Sequence, residues 1–304
     1  MAIYSLLAQY LGLAACLWVA NTAQAEAYPF TVSIEKSSGE HLLLARNRSP
    51  APVSVRLSLT SESNIRPDRE WPLFAVIRPY SDSTLATIRP ANRERGYKFA
   101  IETSFQPGNF HAIHDASSVY RLPFEQGRSF VVSQASDGPL STHAQSDAQF
   151  AVDFTMPENT PILAARDGTV IEAEGRNKQG GKDRQLLTHA NRIRILHADD
   201  SIASYAHLAP NGIQVGLGQK VKAGQVIGLS GSTGYSSGPH LHFAVHELHR
   251  QGDNFASLSV PIRFYVGQPP HVFAASFRQQ VTADYTNPGL PPPLVNEKRA
   301  MEAR

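Results

Sequence analysis

Two histidines one residue apart, His240 and His242, stand in the run SSGPHLHFAVHE, residues 236–247. Leu241, Phe243 and Val245 give this run the aromatic and β-branched character of a strand, entered from a Ser-Ser-Gly-Pro turn. Strand side chains alternate faces, so both imidazoles project to one side while Leu241 and Phe243 project to the other. Two adjacent imidazoles suit a metal site or an acid/base site. They also suit a polar strand face wetted by solvent, and the choice depends on partners elsewhere in the chain.

A hydrolytic zinc site takes three protein ligands from histidines and carboxylates and leaves a fourth position for water. Asp153, in the apolar run FAVDFTMP, is a carboxylate inside a strand, where burial demands a hydrogen bond, a charge partner or a metal. A cap on the turn that follows, Met156 to Asn159, is its other reading. His143 lies upstream in LSTHAQSDAQF and His207 downstream in SYAHLAP, beside Tyr205. With 12 histidines in the chain, no single one argues for a site. The ordered set His143, Asp153, His207, His240 and His242 does. VHELH (245–249) looks like the helical H-E-x-x-H zinc motif, but its histidines are three apart and it continues a strand. His246 and His249 are therefore expected at the surface, and Asp199 and Asp200 in a solvated turn.

The elements that must hold these groups are short strands. The 304 residues are 41% hydrophobic and 18% charged with net charge +2, which suits a two-domain globular protein and is too weakly basic to suggest nucleic acid. From Tyr28 to Thr103 come FTVSIEK, HLLLARN, VSVRLSLT, LFAVIRPY and YKFAIETSF, separated by turn formers; this predicts an Ig-like β-sandwich over 28–119. Tyr120 to Gln134 leads into a second β-rich unit, over 120–273. A Pro-rich tail, 274–304, is expected to be poorly ordered. Residues 1–25 carry no charge, an apolar run from Tyr4 to Ala20 and the small-x-small Ala23-Gln24-Ala25, the pattern of a cleaved secretory leader. Leu13-Ala14-Ala15-Cys16 offers the alternative of a lipoprotein anchored through Cys16. Cys16 is the only cysteine, so the mature chain has no disulfide framework, and no transmembrane helix is expected in it.

The runs AVDFTMPENTPILAARDGTVI, YAHL and VGLGQKVKAGQVIGLSGSTGYSSGPHLHF, in this order, resemble the lysostaphin-type (LytM-like) zinc endopeptidases that cut the peptide part of bacterial peptidoglycan. The resemblance covers Ser141 to Val245. It implies an all-β architecture in which the second unit is a lysostaphin-type antiparallel sheet (the duplicated hybrid motif). It implies one Zn2+ ion held by His143, Asp153 and His242, with His207 and His240 as the catalytic histidines. The family's first ligand typically stands four residues before the aspartate, where this chain has Gln149; a longer hairpin is expected to bring in His143, ten residues before Asp153. The implied function is an exported, most simply periplasmic, zinc endopeptidase acting on peptidoglycan peptide. The alternative is an inactive relative that binds cell-wall peptide or activates another hydrolase. The loop Ser232–Gly238 is expected at the mouth of the groove, with Tyr235 exposed on it.

Overall fold

A computed structural model describes residues 3–6, 28–138 and 145–295. The leader expected over 1–25, apart from a strand at Ile3–Leu6, lies outside the described residues, as do Cys16 and His143. The protein is all-β; among the described residues the one helical element is a 3-10 turn, Arg184–Thr188. None of these residues forms a helix long and apolar enough to cross a membrane.

Two units divide the chain: 1–110 with 249–256, and 111–248 with 257–304. The first unit holds two four-stranded sheets. One runs Ile3–Leu6, Lys98–Pro107, Val53–Ser63, Leu73–Ile77; the other runs Phe30–Ser37, Glu40–Asn47, Ser81–Pro90, Ile65–Pro67. Leu43 and Ala45 from one sheet and Val53, Val55 and Leu57 from the other share a single core, the arrangement of a sandwich.

The second unit is built on a nine-stranded sheet. Its order is Lys220–Val221, Gly168–Glu174, Arg192–Leu196, Ile202–Ala206, His240–Gln251, Val152–Thr155, Ser129–Gln134, Gln280–Thr282, with Asn254–Ser259 paired to His240–Gln251. A three-stranded sheet (Pro161–Leu163, Val226–Ser230, Leu208–Ile213) shares its core, which is filled by Tyr205, Phe154, Phe243, Ile162, Leu208 and Ile227. Each of these residues is fully buried, and removing one aromatic ring from such a core costs about 3–5 kcal/mol.

The limits of the two units differ from the sequence expectation in three places, the first being that residues 249–256, expected in the second unit, fall in the first. Residues 111–119 join the second unit, where His114 Nε2 contacts the Tyr120 hydroxyl at 3.0 Å and the Asp115 amide donates to Asp199 Oδ2 at 3.1 Å. The Pro-rich segment beyond Phe273 contributes the strand Gln280–Thr282, with Val281 and Ala283 fully buried. That strand is only three residues long, with side chains that alternate exposed, buried, exposed.

Candidate active site

The site is built on one row of residues across adjacent antiparallel strands. Asp153 pairs directly with His242, and His242 pairs on its other side with Ala206. Opposed residues in antiparallel strands share a face, so the carboxylate and the imidazole meet although 89 residues separate them in sequence. His242 Nδ1 and Asp153 Oδ1 lie 2.9 Å apart. The predicted alternation holds: Leu241 and Phe243 are fully buried in the core while His240 and His242 sit half-buried on the other face. Asp153 is itself only 2% exposed, so it is not the solvent-facing cap of the Met156–Asn159 turn.

His207 joins from the junction of the strands Ile202–Ala206 and Leu208–Ile213, where its backbone takes the left-handed region with φ 63°. That conformation is uncommon for a residue with a Cβ and turns the imidazole out of strand alternation onto the His240 ring. The two ring centroids are 4.6 Å apart, and the His207 and His242 centroids 5.9 Å. His207 Nδ1–H donates to the Thr233 carbonyl at 2.7 Å, and His240 Nδ1–H donates to the Gly238 carbonyl at 2.8 Å. A carbonyl can only accept, so in the neutral form of each ring the Nε2 carries the lone pair. His240 Nε2 is 3.8 Å from Asp153 Oδ2. Burial, and then the neighbouring His240 and His242, push the His207 pKa down to about 4, so this ring is neutral near pH 7.

The loop 231–238 that receives both Nδ1–H groups is itself fixed. Thr233 Oγ1–H donates to the Leu208 carbonyl at 2.7 Å and accepts from the Asn191 amide at 3.0 Å. Fully buried Asn191 donates through Nδ2 to the carbonyls of Asn177, Leu208 and Ala209, at 2.8, 3.3 and 3.3 Å. Gly234, at φ 78°, has no room for a side chain, since a Cβ there would lie 2.6 Å from the Ala190 nitrogen. Tyr235 is exposed on the same loop, as expected.

Sequence reasoning missed Asn191 and Thr233, whose roles lie in main-chain contacts that no spacing reveals. It also missed Gln134, whose Nε2–H donates to Asp153 Oδ2 at 2.7 Å. His246 is a correction. It is buried rather than at the surface, with Nε2 2.8 Å from the Asp147 carbonyl and Nδ1 3.3 Å from that of Ile202, and burial lowers its pKa to about 4. The strand it occupies is covered on both faces there, so alternation no longer separates core from solvent. Asp199 is likewise not in a solvated turn: it accepts from Arg166 Nη1 at 2.9 Å with its side chain 13% exposed.

The donor chemistry at Asp153 and His242 fits a zinc ion. A buried carboxylate oxygen and an imidazole nitrogen face one another at a hydrogen-bond distance of 2.9 Å, and the pair needs to open only to the roughly 3.3–3.6 Å that separates tetrahedral donors with bonds of about 2.0–2.2 Å. The third donor expected, His143, lies outside the described residues, and among those described no group of three such side chains closes on one point. Gln149, at the usual position of the first ligand, is exposed.

Residues 148–255 match the model of Peptidase family M23. Glycyl-glycine endopeptidase ALE-1 of Staphylococcus capitis is 40% identical over 106 residues, covering 35% of this chain and 26% of that protein. Peptidoglycan DD-endopeptidase ShyC of Vibrio cholerae is 33% identical over 140 residues, covering 45% of this chain and 29% of that protein. Among solved structures, the catalytic domain of the antimicrobial peptidase lysostaphin from Staphylococcus simulans is 31% identical over 43% of this chain and 88% of that one, with a TM-score of 0.29. The chain spans only about a quarter of the length of the curated relatives it matches. Within that span, where Asp153, His207, His240 and His242 all fall, this chain carries a peptidase M23 domain homologous to lysostaphin and the glycyl-glycine endopeptidases.

Proposed function

We propose that this protein is an exported, zinc-dependent endopeptidase that hydrolyses peptide bonds in peptidoglycan stem peptides or cross-links. The observation that carries the reading is Asp153 set 2.9 Å from His242 Nδ1, with the His207 and His240 rings adjacent and each keeping its Nε2 lone pair because its Nδ1–H is committed to a carbonyl. His143, Asp153 and His242 are the ligands. An ion held there would lower the pKa of a bound water toward about 7 and would polarise the scissile carbonyl.

His240, fixed through Gly238, would accept the proton of the attacking water at Nε2. His207 presents the same lone pair because its Nδ1–H is committed to Thr233. In its neutral form it accepts a proton rather than donating to an oxyanion, so it shares the base role. It becomes a donor, to the oxyanion or the leaving amine, only after protonation. The leader expected over 1–25 fits a substrate outside the cytoplasm, most simply in the periplasm.

Exposed Gln149, standing where the family's first ligand usually stands, favours a second reading: a non-catalytic relative that binds cell-wall peptide. One experiment separates the two. The purified chain is assayed for bound zinc and for release of muropeptides from isolated peptidoglycan, with and without a chelator. Zinc near one equivalent and chelator-sensitive release support the enzyme; peptidoglycan binding without release supports the second reading.

A further inference from the structure

The strand Ser129–Gln134 pairs with Val152–Thr155, and the register slips by one residue between them: Val132 opposes Phe154, but Gln134 opposes Asp153. In unbroken pairing the partner of Asp153 would be Ser133. The inserted residue is a β-bulge, a device that re-aims a side chain at the cost of local ladder regularity. Val132 stays fully buried in the core beside Phe154, while Gln134 turns to the face that carries Asp153 and His242. Its amide Nε2–H then donates to Asp153 Oδ2 at 2.7 Å, and Oδ1 is the oxygen that faces His242.

The geometry points to Gln134 as a positioning residue that fixes the Asp153 carboxylate so that it offers Oδ1, and only Oδ1, toward the donor atom of His242. This rests on the zinc reading of the site. An amide suits the role better than a cationic donor: it orients one oxygen without adding a positive charge that would compete with a divalent cation for the carboxylate. The bulge supplies the reach, because the slipped register places the long Gln134 side chain across from Asp153 in place of the short Ser133.

The test uses the full purified chain and two variants, near-isosteric Gln134→Met and branched Gln134→Leu, both lacking the amide donor. Zinc dissociation constants are measured by competition with a chelating dye, and thermal melting of the metal-free proteins checks folding. Groups that orient metal-bound carboxylates are worth about 10–100-fold in affinity, so the constant is expected to rise by that factor in Gln134→Met while the metal-free protein keeps a cooperative melting transition. Cobalt-substituted protein supplies a second readout: with Oδ2 released to bind as well, visible absorption falls in intensity as coordination number rises. Equal zinc affinity and an unchanged cobalt spectrum in a folded variant overturn the role of Gln134 alone. Failure of the unaltered chain to bind zinc overturns the metal reading, and this one with it.

Discussion

His207 and His240 face each other with ring centroids 4.6 Å apart, and both are held from behind by carbonyls of a single loop, Thr233 for one and Gly238 for the other. The loop therefore sets the tautomer of two rings at once. Each ring is left with its lone pair on the nitrogen that points away from the loop.

Substituting either ring separates proton transfer from metal binding. His240→Ala and His207→Ala should each lower turnover on peptidoglycan by about 10²–10⁴-fold, the usual contribution of a positioned acid/base group. Metal content, read by atomic emission on the same samples, should stay near that of the unaltered protein. A matching loss of metal would assign the altered ring to coordination instead.

His242→Ala and Asp153→Ala should behave in the opposite way, losing zinc after dialysis and activity with it. Added zinc should not restore turnover in either variant, whereas it should restore the chelator-treated unaltered protein. Full occupancy in His242→Ala would disprove its place as a ligand.

Asn191→Ala removes a side chain that caps three main-chain carbonyls beneath the His207 junction. Stranding buried acceptors costs about 1–3 kcal/mol for each one left without water. Thermal unfolding should therefore shift down by several degrees, with turnover falling further than the small unfolded fraction accounts for. An unchanged melting temperature would mean that solvent reaches the carbonyls.

Acid should destabilise the second unit before its carboxylates titrate. Burial lowers the pKa values of His197 and His246 to about 4, against 6.5 for an unconstrained histidine. The folded state thus prefers the neutral rings, and the unfolded chain takes up protons first. Stability is fully present above pH 6.5 and is lost as pH falls toward 4, by roughly 3 kcal/mol per residue at most. Melting temperatures between pH 7 and pH 4.5 should fall accordingly, and His246→Gln should flatten the slope. A pH-independent melting temperature across that window would contradict the buried neutral assignment.

Much of the site could be read from residue types and alternation. His240, His242 and Asp153 lie on regular strand segments, where a period of two predicts the face correctly. His207 was legible as a candidate, but its orientation depends on a left-handed backbone that sequence alone does not announce. Gln134 was not legible, because a bulge breaks the period that would have exposed it. His246 was misplaced for a related reason: both sides of its strand are covered there, so a polar residue on the outer face is not at the surface. The β character of both units followed from the spacing of short apolar runs. The strand Gln280–Thr282 did not, since three residues carry too little pattern.

The pairing of Asp153 with His242 joins two stretches of chain far apart in order of synthesis. No hairpin, and no fragment ending before residue 242, can assemble both halves of the grip. Ion capture should consequently lag behind the early collapse of local hairpins during refolding, and arrive together with closure of the central strands. A nascent chain would pass through most of its length without the paired carboxylate and imidazole, and so chemically inert.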